Sequence, residues 1–165
     1  MDGAKRLSFE AGHRPKFLVV LDETSECDRA VRFAARRSAR TGAGLVMLAA
    51  LEPPDSFEFL GVGEALRAEA EDEASALIQT AIRSVRAAGG SDPEQVIRVG
   101  DRADAIQALI EADQDISFLV LAAAPGAEGP GPLVSTVMGM ASGFPVPIVI
   151  VPGHLADDEI DALAG

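Results

Sequence analysis

Five short apolar segments are spaced along the chain, and longer segments with helical periodicity separate them. A continuous run of Val, Leu, Ile, Ala or Phe is typical of a strand buried on both faces, as in parallel sheets. The predicted strands are residues 17–21, 44–51, 96–99, 118–123 and 146–151. Pro53 and Pro54 end the second strand because proline lacks an amide donor and fixes φ. Residues 55–62 are then expected to form a loop.

Apolar residues at helical spacing predict a helix after each of the first four strands. The predicted helices are residues 26–40, 63–88, a segment that begins at Asp101, and 133–142. Thr24 or Ser25 is expected to cap the first helix. Strand and helix thus alternate, with connections long enough for right-handed crossovers. The pattern predicts an α/β fold, a single open parallel five-stranded sheet with helices on both faces, Rossmann-like.

The chain length of 165 residues fits one domain. We expect a flexible N-terminal tail over 1–15, the folded domain over 16–153, and an acidic, loosely held C-terminal tail over 154–165. No apolar run is long enough to cross a bilayer, and the N-terminus lacks a signal-peptide pattern. The expected compartment is therefore the cytoplasm, with no membrane partner. The net charge of −12 argues against nucleic acid as a partner.

Conventional catalytic groups are scarce. His13 and His154 lie in the two expected tails, so neither a nucleophile–histidine arrangement nor a zinc cluster is predicted. A phosphate-binding P-loop and a classical dinucleotide fingerprint are absent. Cys27, the single cysteine, lies near a predicted helix start, where a thiolate is favoured, although a small residue there also serves packing. We therefore expect no catalytic residues.

A glycine-rich loop follows the fourth predicted strand and contains Gly126, Gly129 and Gly131. Glycine lets backbone amides approach an anion, and the helix that follows favours negative charge at its start. Glycine and proline also form ordinary turns. Ligands of open parallel sheets bind beyond the carboxyl ends of the strands, where strand order reverses. The loop is therefore a candidate anion site.

The spacing of Gly126, Gly129 and Gly139 is G-x2-G-x9-G. With the segments FLVVLDETSECDRAVRFA and FPVPIVIVPG, it makes the chain resemble the ATP-binding branch of the universal stress protein family over about residues 16–153. The resemblance implies a fold like that of the adenine nucleotide alpha hydrolases. It also implies that the protein binds ATP, with or without Mg²⁺. By this resemblance Asp22 contacts the ribose, the backbone of Ala50 contacts the adenine, and the three glycines surround the phosphates.

Three departures from the family pattern predict low affinity. Met140 stands where the family has Ser or Thr after the last glycine, about four residues lengthen the loop before Gly126, and Glu23 replaces a common glycine. Asp22 has an alternative role as a helix cap, and Gly139 as a site of close packing. The alternatives to ATP binding are a stress protein of the same fold that acts purely by protein–protein contact, and a metabolic enzyme on this fold.

The last predicted strand is expected to lie at a sheet edge, and it is apolar, bracketed by Pro145 and Pro152, and free of charge. An exposed edge of this kind pairs readily with another strand. We expect a homodimer through this strand, as related proteins form, in addition to an unidentified protein partner. The alternative is that residues 157–163 fold back and cover the edge.

Overall fold

The computed structural model describes residues 5–52 and 62–165. Within these ranges strands and helices alternate in the predicted order. The strands are β1 (Lys16–Leu21), β2 (Gly44–Leu51), β3 (Glu94–Val99), β4 (Ile116–Ala123) and β5 (Ile148–Pro152). The helices are α1 (Cys27–Thr41), α2 (Val62–Ala87), α3 (Arg102–Ala112), α4 (Pro132–Gly139) and α5 (Asp157–Leu163). The predicted strand end at Pro53 and nearly all of the predicted loop over 55–62 lie outside the described residues.

The five strands form one parallel sheet in the order β3-β2-β1-β4-β5, which confirms the predicted fold class. The chain proceeds from β1 to one edge and then returns to the other side of β1, so the strand order reverses between β1 and β4. Ligands of open α/β sheets bind beyond the carboxyl ends of the strands at such a position. The loops after β1 and β4 therefore border the crevice of interest.

Two apolar layers cover the sheet. One face packs against α1, α2 and α5 and buries Val31, Ile78 and Ile160. The other packs against α3 and α4 and buries Ile106 and Val137. The continuous apolar runs of β1 and β2 follow from this arrangement, because side chains on both faces of a central strand are removed from water.

The C-terminal residues differ from the expected loose tail. Residues 157–163 form α5, whose Ile160 is fully buried against α1 and the sheet. Arg32 on α1 donates from Nε and Nη2 to the two carboxylate oxygens of Asp161, both at 2.8 Å. Arg29 Nη2 lies 2.7 Å from Asp157 Oδ1. The acidic composition that indicated a tail is complementary to arginines on α1.

The N-terminal residues from 5 onward contact the amino end of the sheet, where we expected a flexible tail. Arg6 donates from Nη1 to the carbonyl of Ile110 at 2.7 Å and from Nη2 to that of Asp113 at 2.5 Å, so it binds the carboxyl end of α3. The amide of Leu7 donates to the carbonyl of Gln114 at 2.9 Å. Over the described part of the chain, none of the helices has the length and apolar character that a bilayer crossing requires.

Candidate functional site

The loop after β1 is shaped by Asp22. Its Oδ1 accepts hydrogen bonds from the amide of Thr24, at 3.0 Å, and from the Thr24 hydroxyl. This is a local turn, and it differs from the predicted helix cap because α1 begins at Cys27 with Glu26 as its N-cap residue and no side-chain cap. Asp22 Oδ2 accepts no hydrogen bond from any described residue. That oxygen has no protein donor among the described residues, and the contact with a ribose that the resemblance implies stays a prediction.

The loop after β4 closes on itself through a hydrogen bond of 3.0 Å from the amide of Ala124 to the carbonyl of Pro130. Gly129 and Gly131 adopt φ of 101° and 97°, a region that side chains disfavour, so both positions need glycine. Within the described residues, the amides of Gly126, Gly129 and Gly131 have no acceptor. The first turn of α4 follows directly and begins at Pro132. The loop therefore presents unused donors beside the point where strand order reverses.

Glu26 is placed between this loop and the end of β5. A methyl group built on Gly131 would lie 3.9 Å from Glu26 Oε1, and one built on Gly153 would lie 2.9 Å from Glu26 Cβ. The Glu26 side chain is half-buried, and its carboxylate accepts no hydrogen bond from the described residues. Sequence analysis did not identify Glu26, since its proximity to Gly131 arises only when β1 and β4 become neighbours.

Arg102 occupies the position next to Ala50. The carbonyl of Ala50, a residue that is fully buried, accepts from Arg102 Nε at 3.0 Å. The amide of Arg102 donates to Glu52 Oε1 at 3.2 Å, and its Nη2 lies 3.8 Å from Glu23 Oε2. An adenine at the Ala50 backbone would therefore meet a guanidinium. Sequence analysis missed Arg102, although its position directly after the Asp101 cap of α3, at the carboxyl end of β3, could have identified it.

A cavity of about 440 Å³ lies beside Arg102, and half of its described lining residues are glutamates. Its charged lining residues are Glu23, Glu52, Glu69, Glu73 and Arg102. No cluster of three or more His, Cys, Asp or Glu among residues 5–52 and 62–165 has the arrangement that a metal ion requires. This part of the carboxyl edge is thus acidic, and the guanidinium of Arg102, the one arginine among the described lining residues, already donates to the Ala50 carbonyl.

Gly139 and Met140 lie away from the other predicted site residues. Gly139 is the last residue of α4, and Gly131 precedes its first, so the helix separates them by about 12 Å at 1.5 Å per residue. The Met140 sulfur accepts from Gln107 Nε2 at 3.4 Å and packs with the apolar layer under α3 and α4. A helix carboxyl end also carries partial negative charge. The structure therefore places Asp22, Gly126, Gly129 and Gly131 in the two loops that border the crevice, whereas Gly139 and Met140 lie at the far end of α4.

Cys27 lies against the loop after β1 and borders a separate cavity of about 350 Å³ between that loop and α2. Burial, together with the nearby carboxylates of Asp22, Asp28 and Glu26, raises the pKa of the Cys27 thiol to about 12. A thiol of this kind stays protonated near neutral pH. The hypothesis of a thiolate at the helix start is therefore wrong, and Cys27 is a packing residue.

The universal stress protein family model matches residues 13–152 of the chain. Universal stress protein UspA from Lactobacillus plantarum aligns at 20% identity with a TM-score of 0.65, over 83% of this chain and 97% of its own. A universal stress protein in complex with cAMP aligns at 24% identity with a TM-score of 0.63, over 84% and 97% of the two chains. The universal stress protein from Archaeoglobus fulgidus in complex with dAMP aligns at 17% identity with a TM-score of 0.57, over 83% and 96%. No curated protein matches the chain significantly.

Proposed function

The chain belongs to the universal stress protein family, and on that premise we propose that it binds an adenine nucleotide in the crevice between the loops after β1 and β4. Binding would change its interaction with a protein partner. In this proposal the base lies toward β2 and Arg102, the ribose at Asp22, and the phosphate at the loop over residues 124–131.

The free amides of Gly126, Gly129 and Gly131 are the observation that supports this proposal. Backbone amides of a turn that have no acceptor in the protein are available to bind an anion. The loop lies next to the reversal of strand order, where ligands of this architecture bind. Two of the structural neighbours are complexes with cAMP and with dAMP. These adenine ligands match the chemistry that the crevice offers.

Turnover of the nucleotide is expected to be slow. His13 Nδ1 lies 2.7 Å from Asp115 Oδ1 at the amino end of the sheet, opposite the crevice. Cys27 is protonated near neutral pH. Neither residue can serve as a nucleophile or a general base for a ligand at the carboxyl edge. We therefore propose a binding module with at most slow hydrolysis.

A second candidate function is a stress protein that acts by protein contact alone. The observation that favours it is Arg102, whose guanidinium donates to the Ala50 carbonyl and lies 3.8 Å from a carboxylate oxygen of Glu23. If Arg102 keeps this position, the base has less space beside β2. Titration with nucleotide separates the two functions, because the second candidate binds none.

The test compares Gly129→Ala with Gly12→Ala by calorimetric titration with adenosine, AMP, cAMP and ATP. Both glycines have positive φ and open space around a new methyl group, so the substitutions cost similar backbone strain, of about 1–3 kcal/mol. Only Gly129 lies in the crevice. We expect Gly129→Ala to weaken binding about tenfold and Gly12→Ala to leave it unchanged. Equal effects, or no binding to wild type at millimolar ligand, would contradict the proposal.

Met140→Ser provides a further check on the site. The sequence analysis placed Met140 at the phosphates, where a hydroxyl would strengthen binding, whereas the structure packs it against Gln107 beyond the end of α4. We expect the affinity for every adenine ligand to be unchanged in Met140→Ser. A gain of tenfold or more would place the carboxyl end of α4 in the site.

A further inference from the structure

Glu26 presents a carboxylate to the loop that is proposed to hold phosphate. We infer that the crevice selects adenine ligands with a single phosphate or none over ATP, and that Glu26 is the residue that sets this selectivity. The inference rests on the proposed function, since it assigns the ligand class of the same crevice. It also changes the expectation from the sequence, which was ATP.

The geometry fixes Glu26 against the loop. Its Oε1 lies 3.9 Å from the position of a methyl group on Gly131, whose φ of 97° orients the start of α4. On its other side, a methyl group on Gly153 would lie 2.9 Å from Glu26 Cβ and 2.3 Å from the Ala123 carbonyl oxygen. Because that side is closely packed, the stem of Glu26 has little space to move away from the loop.

The charges near Glu26 add to its effect. Asp22, Glu23 and Glu26 lie within five positions on the loop after β1. Each further phosphoryl group adds negative charge to the ligand, and opposed like charges at short range raise the free energy of the complex. A single phosphate can be held by the free loop amides, whereas a triphosphate must extend past these carboxylates.

Cations that could offset this charge are engaged elsewhere. The guanidinium of Arg102 donates to the Ala50 carbonyl and lies 3.8 Å from Glu23 Oε2. Arg29 donates to Leu155 and pairs with Asp28 and Asp157.

Both lysines are also distant from the crevice. Lys5 pairs with Glu10, and Lys16, at the amino end of β1, pairs with Glu94 and Asp113. His154 is exposed and makes no hydrogen bond or ion pair with a described residue.

The experiment measures dissociation constants of wild type, Glu26→Gln and Glu111→Gln for adenosine, AMP, cAMP and ATP, with and without Mg²⁺. Glu111 is an exposed carboxylate at the far end of α3, so its variant makes the same charge change away from the crevice. Urea midpoints establish that both variants are folded. We expect wild type to bind AMP at least about tenfold more tightly than ATP, as charge repulsion requires.

Glu26→Gln is expected to strengthen ATP binding about tenfold and to change adenosine binding less than about twofold, because adenosine carries no phosphate. Glu111→Gln should change neither. The wild-type preference for AMP should also narrow between about 0.05 M and about 0.5 M salt, because ions screen exposed charges.

ATP binding as tight as AMP binding in wild type, or an equal effect of Glu26→Gln on all four ligands, would overturn the selectivity and leave the nucleotide site in place. Absence of binding by all four ligands to both wild type and Glu26→Gln would overturn the nucleotide site itself, and the selectivity with it.

Discussion

Gly153 makes a close backbone contact where β5 ends. A methyl group at this position would lie 2.3 Å from the Ala123 carbonyl oxygen and 3.2 Å from Pro125 Cδ. Real side chains do not approach backbone so closely, so Gly153→Ala must displace the end of β5 or the loop after β4. We expect a loss of about 1–3 kcal/mol in the free energy of unfolding, as for other overpacked sites. Urea denaturation measures it.

Gly126→Ala is the matched control for Gly153→Ala. A methyl group at Gly126 meets nothing within 4 Å, and its φ lies outside the left-handed region. We expect its unfolding free energy to stay within about 0.5 kcal/mol of wild type. If the two variants are equally stable, the close contact at Gly153 does not exist in solution.

Cys27 is expected to be unreactive while the chain is folded. Burial raises the pKa of its thiol to about 12, and the thiolate is the form that reacts with alkylating reagents. We predict slow labelling by iodoacetamide at neutral pH and a large acceleration once the chain is unfolded in guanidinium chloride. Rapid labelling of the folded protein would show an accessible, ionised thiol.

The candidate site could be predicted from the sequence only where the residues are close along the chain. Asp22 follows a recognisable strand, and Gly129 and Gly131 form one loop. The glycine spacing predicts that Gly139 lies with them, because a spacing gives distance along the sequence only. In the structure Gly139 is the last residue of the eight-residue helix α4, so it lies far from the loop. Glu26 and Arg102 were missed because their contacts with Gly131 and Ala50 depend on which strands become neighbours.

Among the elements, α5 offers a direct test of packing. Ile160, on the inner face of α5, is fully buried, whereas Leu163 at the end of the same helix is 64% exposed. We expect Ile160→Ala to lower the unfolding free energy by about 2–4 kcal/mol through lost burial and a residual cavity. Leu163→Ala, on the same helix, should change it by less than about 0.5 kcal/mol. Equal stabilities would show that α5 does not pack against α1.

Acid is expected to weaken the contact between α1 and α2. Burial opposes ionisation of Asp28, but hydrogen bonds from Ser84 and Arg29 outweigh burial and lower its pKa. The unfolded chain therefore binds a proton at Asp28 more readily than the folded chain does. The contribution of Asp28 to the free energy of unfolding is complete above about pH 4, the ordinary pKa of aspartate, and is lost as the pH falls through the lower pKa of the folded state.

Asp28→Asn should therefore reduce the slope of stability against pH below about pH 4. Asp158→Asn removes an exposed carboxylate that makes no hydrogen bond or ion pair with a described residue, and it should retain the wild-type slope. Urea denaturation at a series of pH values compares the three proteins. If Asp28→Asn keeps the wild-type dependence of unfolding free energy on pH, Asp28 is not the group responsible.

Element boundaries were predictable where burial is complete. β2 is buried along its whole length and matches its predicted range. β3 lies at an edge, and its exposed first residues, Glu94 and Gln95, gave no apolar signal. β5 begins at Ile148, two residues later than predicted, because Pro145 and Pro147 flank Val146 and proline lacks the ladder donor. The apolar runs therefore predict where the strands are, whereas the residues at which strands begin and end depend on their position in the sheet.

For the whole molecule, we expect a homodimer through the outer edge of β5. In the described sheet β5 pairs only with β4, so its other edge has unpaired backbone groups. α5 packs on α1 and does not add a strand there. The opposite edge, β3, carries the exposed charges of Glu94 and Arg98, which discourage pairing, whereas β5 has none.

Analytical sedimentation of wild type, Ile148→Lys, Val149→Lys and Gln95→Lys tests this assembly. Ile148 and Val149 pack on opposite faces of β5, so one or the other lies near a two-fold partner. We expect a dimer for wild type and for Gln95→Lys, which places the same charge on β3, and a monomer for at least one β5 variant. A monomeric wild type at micromolar concentration would refute the interface.

The binding of Arg6 at the carboxyl end of α3 has a consequence for biosynthesis. Arg6 and Ile110 are 104 positions apart, so a ribosome adding about 5–20 residues per second completes the second about 5–20 s after the first. β4, which pairs with one side of β1, is synthesised after a similar delay. β2, which pairs with the other side of β1, is synthesised much sooner. A nascent chain halted before residue 116 would therefore display a partial sheet with the side of its central strand exposed. During translation, that unpaired side is where chaperones would be needed.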